Sequence, residues 1–271
     1  AVCDLYADAA LAEARVLEAE AVRGVFRGPL HGVPILVKDL FLTKGLRTTR
    51  GSKIFAEFVP SEDAPVVSRV LAAGGALLGK ATTTEFGWTA ASTSRLFGPT
   101  RNPWDPSRTS GGSSSGCAAA VAARMVPAAL GSDGGGSVRV PGAFCGIFAL
   151  KGSLGRIPVY PWSATEMLSH AGPMTLTVED SALLFDVLKG PDPRDHLAIP
   201  DDSTDYRTVI ASEPVSLRVA FAPTLFGTRV DAQVGAAVRA AVERLAGDLD
   251  VVVDECAPDW RDPFEVFETL W

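Results

Sequence analysis

Between Gly111 and Lys151 the chain reads GGSSSGCAAAVAARMVPAALGSDGGGSVRVPGAFCGIFALK. Ser113 to Ser115 form one hydroxyl cluster and Ser137 stands in a second, each just after adjacent glycines. Glycine lets a backbone approach a bound group closely and take φ angles that other residues avoid. N–H groups in such a turn converge on one point, which suits an oxygen that becomes negative during acyl transfer. Hydroxyl nucleophiles beside an anion cradle point to an enzyme. A serine nucleophile also needs a base, and histidine is scarce: the chain holds His31, His170 and His196. Lysine serves instead if its ammonium gives up a proton. A free lysine titrates at about 10.4, and burial or nearby positive charge lowers that by several units. Lys38 follows the apolar run VPILV, where a side chain is largely desolvated. Asp39 comes directly after it, and a close carboxylate favours the charged form. Local sequence therefore leaves open whether Lys38 is a base or a solvated charge.

Two other patterns imitate known chemistry. GGALLGK at Gly74 to Lys80 nearly spells a phosphate-binding loop, but Ala81 stands where Ser or Thr must hold Mg²⁺. The order is also wrong, with a helix leading into a strand. GSSSG at Gly112 to Gly116 fits a nucleophile elbow centred on Ser114, which needs a strand directly before it. A proline-rich loop precedes it here, although His170 or His196 would stand in the right chain order.

The elements that must position these residues alternate between strand and helix. Ala7 to Ala21 has no glycine or proline and is a good helix by propensity. Val33 to Val37 reads as a buried strand. Ser61 is expected to cap a helix running to about Ala73, with Pro65 in its first turn and Gly74 as its stop. Ala76 to Leu78 is a strand, Phe97 to Gly112 a loop, and Ser114 to Met125 a helix of small residues. Strands at Ala128–Gly131 and Ile147–Leu150 flank a short helix at Val138–Phe144. Farther on come a helix at Glu179–Leu188, a strand at Leu217–Phe221, a helix at Ala232–Leu245 and a strand at Val251–Val253. This alternation gives a layered α/β fold. Pro191 to Thr208 reads as a surface excursion rather than a domain linker.

Composition sets the outer bounds. A chain of 271 residues, 47% apolar, buries a substantial core. Its net charge of −7 carries no basic footprint for nucleic acid. Cys3, Cys117, Cys145 and Cys256 lack metal-site or disulfide-framework spacing, which fits a reducing compartment. The longest apolar run, Cys117 to Leu130, is interrupted by Arg124 and Pro127 and is too short to span a bilayer. With no leading signal peptide, the expected location is cytoplasmic.

Taken together, GVPILVKD, GGSSSG and GSDGGGSVRVPGAFCGIFALKG, in that order, resemble the amidase signature family. TEFGW at Thr84 to Trp88, GPTRNPWDPSRTSGG at Gly98 to Gly112 and SHAGPMTLTVED at Ser169 to Asp180 support the match. The resemblance implies a mixed sheet core covered by helices on both faces, formed by a single domain over 1–271. It implies a serine hydrolase with a Ser–cis-Ser–Lys triad: Ser137 as nucleophile, Ser113 as the cis-serine after Gly112, and Lys38 as neutral base. Gly134, Gly135 and Gly136 match the oxyanion hole, while Trp88 and Asp133 are candidate substrate-binding residues. No cofactor or metal is implied. The expected partner is a small-molecule amide, without direct nucleic-acid or membrane binding, and a homodimer is compatible with the sequence. GRIPVYPWSA at 155–164 resembles the free-standing amidases. The alternatives are a glutaminase like the A subunit of the amidotransferases, working in a multi-subunit tRNA-dependent complex, or a catalytically silent scaffold. Family domains generally run longer, so this chain is expected to lack N-terminal and C-terminal portions.

Overall fold

The computed structural model describes residues 1–271 apart from 164, 213–216 and 250. The chain forms two compact units, Ala1–Ile210 and Ala211–Trp271. In the first unit the chain runs β1 (Val2–Leu5), α1 (Ala7–Val22), β2 (Pro34–Lys38), α2 (Pro65–Ala72), β3 (Ala76–Ala81) and the short pair β4 (Thr93–Ser94) and β5 (Gly98–Pro99). It continues through α3 (Ser115–Ala122), β6 (Ala128–Asp133), α4 (Arg139–Cys145), β7 (Phe148–Ala149), β8 (His170–Thr175), α5 (Val178–Leu188) and α6 (Tyr206–Ile210). Six strands make one mixed sheet in the order β1-β3-β2-β6-β8-β7. β2 runs parallel to both β3 and β6, and β8 antiparallel to β6.

Each face of this sheet has its own core. On one side Ile35, Val37 and Leu130 pack against Val66, Val67 and Val70 of α2 and Leu184, Phe185 and Leu188 of α5. On the other, Leu36, Ala81, Ala129 and Met174 pack against Cys117, Ala118, Ala120 and Val121 of α3 and Val138 and Cys145 beside and within α4. Strand alternation explains the division, because neighbouring residues of β2 point to opposite faces. Burial of each valine of α2 contributes about 1.5–3 kcal/mol relative to exposure. α3 reaches its sheet closely because its residues are small. A Cβ on Gly116 would lie 2.2 Å from the Ala1 carbonyl oxygen and 2.3 Å from the Thr82 nitrogen.

Several element ends follow the local sequence. Gly74 closes α2 with φ +87°, a conformation natural to glycine. The helix opens at Pro65 with Ala64 as its N-cap, so Ser61 does not cap it. Proline at the first helical position sets the start here, and the Ala64 N–H is held by the Leu42 carbonyl. Pro191 to Thr208 remains with the first unit. Arg69 of α2 pins its beginning by donating to the carbonyls of Leu188, Lys189, Gly190 and Pro191.

The second unit contains β9 (Leu217–Phe221), α7 (Ala232–Asp248), β10 (Val251–Glu255) and α8 (Phe264–Leu270). β9 and β10 pair in parallel, and Asp231 caps α7 by accepting from the N–H groups of Gln233 and Val234. Among the described residues no helix is long and apolar enough to cross a membrane.

Candidate active site

β2 carries Lys38 at its C-terminal end, fully buried. The next residues turn away under hydrogen bonds from Asp39 N–H to the Ala81 carbonyl and from Phe41 N–H to the Lys38 carbonyl. Ser113 lies just before α3, after a cis peptide bond from Gly112. A side chain at Gly112 is impossible, since its Cβ would lie 1.8 Å from the Ala91 carbonyl oxygen. β6 ends at Ser132 and Asp133, and the GGGS turn then leads into α4. These three chain reversals deliver the candidate residues to one end of the sheet.

There Lys38 Nζ donates to Ser113 Oγ at 2.7 Å and to Ser132 Oγ at 2.9 Å, with the Ser132 carbonyl at 3.4 Å. Burial lowers the lysine to about 7, partly opposed by the neighbouring Cys117 and Asp133. A neutral amine beside a hydroxyl is an acceptor for its proton. Ser137 is buried and joins the same cluster through its backbone, whose carbonyl accepts from Ser114 N–H at 3.2 Å. Among the described residues Ser137 Oγ makes no hydrogen bond with Ser113 Oγ. Ser114 itself is committed to the framework: its Oγ donates to the Ser132 carbonyl and accepts from Ser132 N–H, each at 3.2 Å.

Asp133 braces the glycine turn. Its carboxylate accepts from Gly136 N–H at 2.7 Å, Val138 N–H at 3.0 Å and the Arg139 guanidinium at 2.9 and 3.0 Å. Burial works against ionisation, but Arg139 and these N–H groups outweigh it and hold the carboxyl at about 2. Gly136 takes φ +111° to make this turn, and a Cβ there would press on Val140. From the neighbouring strand, His170 Nδ1 contacts the Leu168 carbonyl at 2.7 Å and the Asp133 carbonyl at 3.2 Å.

Trp88 stands apart from this cluster. It is half exposed and lines an open cavity of about 560 Å³ with Thr84, Glu85, Phe86 and Arg95. The link is Gly87, where a Cβ would lie 3.3 Å from Ser113 Oγ. His31 and His196 lie elsewhere, the first against the Leu17 carbonyl and the second edge-on to Trp162. Sequence reasoning overlooked Ser132, although it stands inside the GSDGGGS motif. It also set Lys80 aside with its imitation phosphate loop. Yet Lys80 is the other large polar side chain fully buried beside β2.

Known proteins are similar to this chain in sequence and, among solved structures, in fold. The chain is 43% identical over 255 residues to the A subunit of the glutamyl-tRNA(Gln) amidotransferase of Chloroflexus aurantiacus, covering 94% of this chain and 52% of that protein. Among solved structures, 6-aminohexanoate cyclic dimer hydrolase with its substrate aligns with TM-score 0.88 at 33% identity, covering 99% of this chain and 56% of the other. The peptide amidase of Stenotrophomonas maltophilia aligns with TM-score 0.81 at 31% identity, covering 94% and 54%. The chain thus spans about half the length of the relatives it matches. The amidase family model matches residues 1–264, and the chain belongs to the amidase signature family.

Proposed function

We propose that this chain carries the catalytic centre of an amide hydrolase, with Ser137 as nucleophile, Ser113 as proton relay and Lys38 as base. The observation that supports this most directly is the 2.7 Å contact between fully buried Lys38 Nζ and Ser113 Oγ. In this reading neutral Lys38 takes the Ser113 proton as Ser113 takes that of Ser137, whose Oγ attacks the amide carbon. The C–N bond then breaks, and the same relay run backwards protonates the departing amine. Water hydrolyses the acyl-enzyme through the identical sequence. Closure of the gap between Ser113 and Ser137 Oγ on substrate binding is part of the proposal, since catalytic hydrogen bonds tighten in the Michaelis complex.

The Gly134–Ser137 turn is assigned to the oxyanion. Gly136 already gives its N–H to Asp133, so Gly134, Gly135 and Ser137 are left to supply the donors, and Gly136 shapes the turn. Asp133 is fully engaged by its own loop, which favours a bracing role over direct substrate contact. Trp88 is assigned to the substrate approach. The reaction as written uses no cofactor, and a cytoplasmic location and a single 1–271 domain belong to the same reading.

A second reading is a glutaminase component of a tRNA-dependent amidotransferase, releasing ammonia for a partner. The 43% identity to the A subunit of such an amidotransferase favours it. Both readings share the serine chemistry and differ in acyl donor and partner dependence. Intact-mass analysis after fluorophosphonate treatment tests what they share. One adduct is expected on the wild-type chain and none on Ser137→Ala. An adduct on Ser137→Ala excludes this nucleophile, and no adduct on either chain favours a silent scaffold. Hydrolysis of simple amides by the chain alone supports the first reading. Glutamine cleavage that appears only with partner subunits supports the second.

A further inference from the structure

Asp39 poses an electrostatic problem for any role of Lys38 as a neutral base, because an adjacent carboxylate stabilises an ammonium. The sheet separates the two side chains. Lys38 pairs in register with Ala81 and shares the face of Leu36 and α3, whereas Val37 pairs with Lys80 on the other face. Asp39 turns to that second face, where it is buried and accepts from Thr49 N–H at 3.0 Å and from the Thr49 hydroxyl.

Lys80 faces the same side, fully buried. Its Nζ donates to the Phe41 carbonyl at 2.5 Å, Thr43 Oγ1 at 2.9 Å and Thr48 Oγ1 at 3.1 Å. Both threonine hydroxyls donate their own hydrogens to carbonyls, Thr43 to Phe41 and Thr48 to Leu46. All three Lys80 contacts are therefore acceptors, which matches the three donors of a charged ammonium. The acceptors lie on the segment directly after Lys38, so Lys80 also fixes the turn through which β2 leaves the sheet.

We propose that Lys80 is a positioning residue whose ammonium is the counter-ion of Asp39, keeping that carboxylate from holding Lys38 in its charged form. The inference rests on the reading of Lys38 as base. Charged or titratable groups facing Lys38 are Cys117 of α3 and Asp133 of β6. Those facing Lys80 are Asp39, Cys3 of β1, Cys117 and Asp63 ahead of α2. Asp39 and Lys80 act on each other against the burial of both: the carboxylate favours the charged lysine, and the lysine draws the carboxylate toward ionisation. Among the described residues no direct ion pair joins Asp39 and Lys80, so their coupling acts across the threonine layer.

The test is the pH dependence of the fluorophosphonate labelling rate of the whole chain in a double-mutant cycle. Lys80→Met leaves Asp39 without its counter-ion, and the inflection assigned to Lys38 is expected to rise by about one pH unit. Asp39→Asn leaves the Lys80 ammonium uncompensated, and the inflection is expected to fall. The double variant returns close to wild type. Opposite shifts that cancel are not produced by a purely structural role. If Lys80→Met does not fold, the Asp39→Asn arm decides: a lowered inflection supports the proposal and an unchanged one overturns it. Equal inflections in all four chains overturn it while leaving the Ser137 reading intact. A wild-type chain that is not labelled at all overturns both.

Discussion

Lys38 and Lys80 occupy neighbouring strands, and neither side chain is exposed to solvent. Burial lowers both, to about 7 and about 8. Their partners differ. Lys38 meets hydroxyls that themselves need a proton acceptor, and a carboxylate lies near it only at a distance. Lys80 meets a carbonyl and two hydroxyls whose hydrogens point elsewhere, with Asp39 on the same side. Depth sets the cost of charge equally for both, and the donor–acceptor balance around each nitrogen decides how that cost is met. In the proposed reading one lysine is kept ready to change protonation and the other is held as an ammonium at neutral pH.

The largest effect that could break this contrast is Lys38→Met. Labelling of Ser137 is expected to fall by about 10³-fold or more. The wild-type rate should rise with pH to half its maximum near 7, and the variant should lose this dependence. The same substitution should raise Tm by roughly 4 °C at neutral pH. The sign follows from the lowered folded-state pKa: below about 7 the lysine is charged in both states and the fold carries the full cost of burying it. That cost fades as pH climbs toward the unfolded value near 10, so the gain in Tm should shrink there.

Lys80→Met should act in the opposite sense on stability. Loss of three hydrogen bonds and an uncompensated Asp39 should cost about 3 kcal/mol in denaturant unfolding. Equal stabilities for the two methionine variants would erase the distinction. Asp133→Asn should slow labelling about tenfold by loosening the glycine turn. It should also flatten acid unfolding. Asp133 is held near 2, so its stabilising share is present above the usual carboxylate range and lost as pH falls through 2. The smallest effect expected is from Thr49→Val, about 1 kcal/mol of stability from the hydroxyl that donates to Asp39 and accepts from Gly51 N–H.

The parts of this arrangement legible in the chain are those written locally. β2, α2 and α3 announce themselves through apolar runs, Pro65, Gly74 and a stretch of small residues. β8 was missed although it lies between β6 and β7 in the sheet. HAGPMT contains glycine and proline, both poor strand residues by propensity, and six residues of pairing with β6 override that. Pro173 is tolerated because its carbonyl faces Leu150 N–H at the end of β7, leaving its missing donor on the side where the ladder stops. Lys38, Ser113, Ser137 and Asp133 sit in motifs that draw the eye, and the structure gathers them. Ser132 and Lys80 acquire meaning only once strands distant in sequence lie side by side. The face of the sheet on which Asp39 falls is equally invisible until β2 and β3 are in register.

The tight seating of Gly112 and Gly116 has a consequence for how such a site could diversify. Even a methyl group at either position would collide with backbone atoms that have no room to retreat. Residues 111–120 are buried throughout. Laboratory evolution directed at this floor would yield mostly dead chains. In the proposed reading, variation that keeps the serines in place enters most readily through the open wall around Phe86, Trp88 and Arg95. In that reading, heritable change in selectivity is channelled to this wall.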